Sequence, residues 1–135
     1  MTDNPVLRTA AVPVSRNQYY IGGELVDLDN VDEADLARLV PYAGPDHVLV
    51  STLSDAKEVD LTIELWEREP PQSGEWDQVE RVVFQATASA PVMTQTGAML
   101  AEFGDVAWRG PGEYSMRVHA RAADREEHLI QVWPN

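Results

Sequence analysis

The sequence predicts a mainly β protein: an antiparallel β-sandwich of seven to eight strands with one short helix in the N-terminal third. Three observations carry this. Apolar and polar residues alternate with a period of two through Val59–Leu65 and again through Glu113–Arg121. Gly, Pro and Asp clusters punctuate the chain about every 8 to 12 residues, the spacing of short strands joined by turns. One stretch alone, after Asn30, places apolar residues at helical intervals. Strands and helices do not alternate, so a doubly wound parallel sheet is not expected. At 135 residues the chain has the length of one domain, here residues 1–135, and can bury a sufficient core without metal or disulfide.

The elements follow in order. Met1 to Ser15 carries Pro5 and Pro13 and reads as a loose arm. Arg16–Ile21 is rich in aromatic residues and reads as a strand; Gly22-Gly23 is a turn signal, and Glu24–Val26 reads as a short return. Asn30 with Glu33 three positions on has the spacing of a capping box, and Val31, Leu36, Leu39 and Val40 form one apolar stripe before Pro41 stops the helix. Asp32, Glu33 and Asp35 load the first turn, where the helix dipole favours carboxylates. Strands are then expected at His47–Leu53, Val59–Leu65, Val79–Ala88, Val92–Thr96, Glu113–Arg121 and Glu127–Trp133, with one bent strand across Met99–Trp108. In the last hairpin, pairing Met116 with Val132, Val118 with Ile130 and Arg121 with Glu127 suits both faces, and His47, His119 and His128 read as surface strand residues.

Charge is the most informative aspect of the composition. Asp plus Glu number 23 against 10 Lys plus Arg, a net charge of −13. Through Glu80 there are 17 acids and 5 bases; from Arg81 onward there are 6 and 5. Such asymmetry can steer a cationic partner. Direct nucleic-acid binding needs clustered Lys and Arg and is not expected. Cysteine is absent, which removes thiolate chemistry and Cys-ligated metals. The N-terminal residues have no signal-peptide pattern and no segment is apolar enough to span a membrane, so a cytoplasmic location is expected.

The motifs of hydrolases, zinc proteases and nucleotide-binding proteins are missing, and the plentiful carboxylates are not spaced so as to select a catalytic pair. No enzyme, metal or cofactor is expected. An EF-hand started at Asp27 fails at Val31, Asp32 and Arg38. The acidic run Asp27, Asp29, Asp32, Glu33 and Asp35 reads as helix capping, as a contact surface, or as both. Trp76, in the loop segment SGEWDQ, reads as a contact residue or as an anchor folded back onto the sheet.

The order of NQYYI, NVDEADL, GPDHVLVSTL, GPGEYSMRVHA and HLIQVW resembles the competence nuclease-inhibitor (competence protein J) family. The resemblance implies a small acidic all-β protein that binds and inhibits a DNA-uptake nuclease and has no catalytic residues of its own. The reading is therefore an acidic protein-binding domain, a stoichiometric inhibitor or immunity protein for a basic, nuclease-like bacterial partner. Its expected partner-binding residues are Asp27, Asp29, Asp32, Glu33, Asp35 and Trp76. The alternative is a structural or ligand-binding sandwich: an accessory subunit, a lectin-like domain or a calcium-dependent module.

Overall fold

A computed structural model describes residues 5–14, 17–22, 38–72 and 74–135. Nine strands are present among them: β1 (Val6–Pro13), β2 (Gln18–Ile21), β3 (Tyr42–Gly44), β4 (His47–Ser51), β5 (Glu58–Leu65), β6 (Gln78–Ala86), β7 (Val92–Thr94), β8 (Gly112–Arg121) and β9 (Glu127–Pro134). They form a five-stranded sheet, β1-β5-β9-β8-β6, and a four-stranded sheet, β3-β4-β2-β7. The core lies between them. Leu61, Ile63 and Leu65 of β5, with Met116, Val118 and Ala120 of β8, pack toward Tyr19, Ile21, Val48 and Val50, and Val59 on the same face of β5 is buried as well. The alternation therefore selects the buried face, as its period of two requires.

Two expectations about strands need correction. The N-terminal arm is not loose: Val6–Pro13 pairs with β5 along its whole length, from Val6 opposite Leu65 to Pro13 opposite Glu58. Proline is tolerated there because β1 is an edge strand and Pro13 closes it. Val14 N donates to Lys57 O at 2.9 Å, so the alternating odd positions, Pro13 included, aim their nitrogens at the unpaired edge. The second correction is that the sandwich is not wholly antiparallel. β5 and β9 run parallel, with Leu61 opposite His128 and Ile63 opposite Ile130. The β8–β9 hairpin inserts its last strand beside β5, a long-range choice that local alternation cannot encode.

The helix expected after Asn30 falls mainly on residues 31–37, outside the described residues. Its expected last turn, Arg38–Val40, is a bend from which Leu39 and Val40 enter the core. The described helical element is instead a 3-10 turn at Ala101–Phe103, in a stretch that reads by sequence as a bent strand. Here Asp105 Oδ1 accepts from Ala90 N at 2.8 Å and Ala107 N at 2.9 Å, fixing a turn that buries Phe103 and Val106. The expected register of the last hairpin is observed: Met116 faces Val132, Val118 faces Ile130 and Arg121 faces Glu127.

Candidate functional site

Of the six residues expected to bind a partner, Asp27, Asp29, Asp32, Glu33 and Asp35 lie outside the described residues. Trp76 is described. It is half-buried in the loop between β5 and β6 and lies over the outward face of β8. Its ring sits 5.2 Å from the His119 ring, and the Arg121 guanidinium stacks at 4.4 Å from its centroid. The same loop is pinned farther along, where Arg117 donates to Pro70 O at 3.2 Å and meets Glu69 at 3.4 Å. Arg117 and Arg81 both lie 5.3 Å from the Trp133 ring. This loop covers a sheet face that would otherwise be solvated, which is why Arg117 and His119 are buried.

The linear charge asymmetry is offset in part in space among the described residues. Arginines of the second half return to the carboxylates of the first: Arg125 to Glu58 and Asp60, Arg81 and Arg117 to Glu69, and Arg109 to Glu67. Arg38 pairs with Glu80 and Arg121 with Glu127. These are mostly half-exposed pairs, each contributing about 0–1 kcal/mol to stability, but they remove free negative potential. Residues 23–37 carry six acids and no base.

The three histidines are not surface residues. His47 is stacked on Tyr20 at 4.9 Å. His119 is fully buried: its Nδ1–H donates to Leu129 O at 2.9 Å, and its Nε2 has no partner. Burial pushes its pKa down, so the ring stays neutral with the bare nitrogen inside. His128 joins the two sheets. Tyr19, on β2, donates its hydroxyl to His128 Nδ1 at 2.7 Å, and His128 Nε2–H donates to Glu126 at 2.6 Å. Glu126 also accepts from Leu53 N at 2.8 Å and from the backbone and hydroxyl of Ser54 at 3.1 and 2.9 Å. Burial alone would raise the Glu126 pKa, but these donors outweigh it and hold the carboxyl below its usual range. Burial also raises the Tyr19 pKa well above that of a free phenol. A Tyr–His–Glu relay resembles a catalytic array, yet Tyr19 is fully buried and keeps its proton, so no reactive oxygen faces substrate. The relay ties the sheets together.

Among the described residues no three His, Asp or Glu side chains converge as metal ligands. No described helix is long and apolar enough to cross a membrane. The relay is not among the expectations from sequence, although a signal for it exists. The register that turns Val132 and Ile130 inward also turns His128 inward.

No family model matches the chain, and no curated protein matches it. Two solved structures share its fold over the whole length. One is ComJ of Bacillus subtilis, described as an inhibitor of the DNA-degrading activity of NucA, with 9% identity, 100% of each chain covered and a TM-score of 0.76. The other is described as crocagin biosynthetic gene J, with 12% identity, 100% of this chain and 99% of that one covered, and a TM-score of 0.60. At such identities the likeness is one of fold.

Proposed function

We propose that this chain is a stoichiometric inhibitor or immunity protein for a nuclease-like partner with a basic, phosphate-binding cleft, and that it performs no catalysis itself. The observation that carries the reading is the whole-chain fold likeness to a nuclease inhibitor. The acid-only stretch 23–37 supports it, because carboxylates spaced along a surface can occupy the phosphate sites of a nucleic-acid-binding protein. Asp27, Asp29, Asp32, Glu33 and Asp35 supply the steering charge, and Trp76 supplies an aromatic rim whose indole is held by Arg121. The buried relay and paired arginines give a rigid frame, which lowers the ordering cost of association.

The test is a titration of DNA-degrading activities from the host that bind a cation exchanger at pH 7. One of them should fall linearly and vanish at equimolar protein. Alanine at the five acids should slow association and flatten its salt dependence, leaving dissociation nearly unchanged. If none of these activities is inhibited at about tenfold molar excess over enzyme, the reading is wrong.

A further inference from the structure

Among the described residues the two sheets meet along an open seam at the edge of β6. In the β6–β8 ladder Gln78 faces Ala120 and Val82 faces Met116. Asp46 N donates to Gln85 O at 2.8 Å from the side opposite β8. Main-chain direction alternates along a strand, so Val79, Arg81 and Val83 also aim their N–H and C=O groups away from β8. Among the described residues these three have no main-chain partner on that side. Their strand is apolar where it is open: Val79 is 42% and Val83 43% exposed.

Edges of this kind are usually covered, because they template another strand. The outer edge of β7 is covered here, with Leu100 N donating to Val92 O and Thr94 N to Ala98 O, both at 2.9 Å. Two cavities line the inner side of the β6 edge instead. One, about 370 Å³, lies between Val82, Val83 and the Val40–Ala43 segment; the other, about 290 Å³, lies between Val83, Gln85, Pro45 and Glu113. Val83 lines both.

Charge at its two ends selects the occupant. Asp77 precedes β6 and Glu113 lines the far cavity; Asp77 Oδ2 accepts from Ala122 N at 2.7 Å and Glu113 accepts from Asn135 and Gln85, but both are exposed and neither forms an ion pair among the described residues. The outer edge of β1 differs. Its neighbouring carboxylates Glu58 and Asp60 already hold Arg125. A second copy of the chain fits β6 poorly, since Arg81 would approach its own twin and the net charge of −13 opposes self-association.

We propose that the β6 edge takes up an extended segment of a partner, with Lys or Arg at its ends and β-branched residues between, as a sixth strand of the five-stranded sheet. This rests on the inhibitor reading for the basic character of the partner. Main-chain bonds to Arg81 and Val83 hold the segment, alternate side chains fill the two cavities, and Asp77 and Glu113 receive its cationic ends.

The probe is the peptide acetyl-KTVTVTK-amide, followed by amide hydrogen exchange resolved by NMR. Saturating peptide should slow exchange at Arg81 and Val83 by about tenfold or more, as expected for amides newly hydrogen-bonded in a strand. The same peptide N-methylated at its third and fourth residues, which blocks both of its edges, should give no protection. Acetyl-ETVTVTE-amide should bind at least about tenfold more weakly, because its charges oppose Asp77 and Glu113. Val83→Pro removes an edge donor that β8 does not use and should abolish the protection. The methylated peptide makes the same test if that variant fails to fold. The proposal is overturned by no protection at about 5 mM peptide, well above the concentration for a millimolar complex. Equal protection by the methylated or acidic peptide, or protection at Leu7, Thr9 and Ala11 of β1 instead, overturns it as well. No nuclease enters this measurement, so its failure leaves the inhibition titration standing and the reverse also holds.

Discussion

Replacing Glu126 by alanine tests the relay that joins the two sheets. The side chain is buried and accepts four hydrogen bonds, from Leu53 N, Ser54 N, Ser54 Oγ and His128 Nε2. Truncation leaves the His128 donor stranded inside the protein, which costs about 1–3 kcal/mol, and it removes charge-assisted bonds worth about 1.5–3 kcal/mol each. Ser54 is exposed, so water can replace its share. A net loss of about 3–4 kcal/mol follows, within the range for breaking one side of a buried charged pair. For a chain of this size that is a fall in Tm of roughly 10–15 °C. Urea unfolding at pH 7 reads it directly, as a lower midpoint with unchanged slope. Glu126→Gln, which keeps an acceptor oxygen, should lose less. Because the folded pKa of Glu126 lies below the unfolded one, its stabilisation is complete above the ordinary carboxyl value of about 4.3 and is lost as pH falls through the folded value. The gap between wild type and Glu126→Gln should therefore close in acid. A loss below about 1 kcal/mol for Glu126→Ala, or a gap that widens in acid, would refute the tie.

Other perturbations have equally definite outcomes. His119→Gln should make stability less sensitive to pH between about 7 and 5: the wild-type ring has a depressed folded pKa, so its stabilisation is present above the unfolded value near 6.5 and lost as pH falls, which urea midpoints at several pH values will show. Gly22→Ala should be severely destabilising, since an added Cβ would lie 2.1 Å from Asp46 O at a φ of +118°, and soluble yield with thermal melting reads the effect. Asp105→Ala should cost about 1–3 kcal/mol in urea unfolding by freeing the Ala90 and Ala107 amides, whereas Asp105→Asn should recover part of it.

Much of the fold was legible because burial on a strand is a local, period-two property. Val59–Leu65 and Tyr114–Ala120 reveal their inward faces without any knowledge of neighbours, and the β8–β9 register follows from matching two such faces. The strand at Val6–Pro13 was obscured by prolines, whose effect depends on whether the strand is at an edge. The histidines were misread for two reasons. His128 was legible through the hairpin register, but a polar side chain was assumed to face water. His119 does lie on the outward face, yet Trp76 of the β5–β6 loop packs against its ring and Pro70 of the same loop is held by Arg117 of β8. For the candidate site, Trp76 was legible as a loop aromatic, and it lies half-exposed over His119 and Arg121 of β8, a placement compatible with either a contact or an anchor; the acids at 27–35 lie outside the described residues.

Composition and alternation by themselves determined the β class, the strand faces, the excess of carboxylates and the absence of thiol chemistry, since each is a property of single residues or nearest neighbours. Tertiary structure decided the parallel β5–β9 pairing, the return of second-half arginines onto first-half acids, and the Tyr19–His128–Glu126 tie. Each of these joins residues far apart in the chain. Only closure of the sandwich fixes which distant groups meet, and a buried polar group is stable only where that closure supplies its partner.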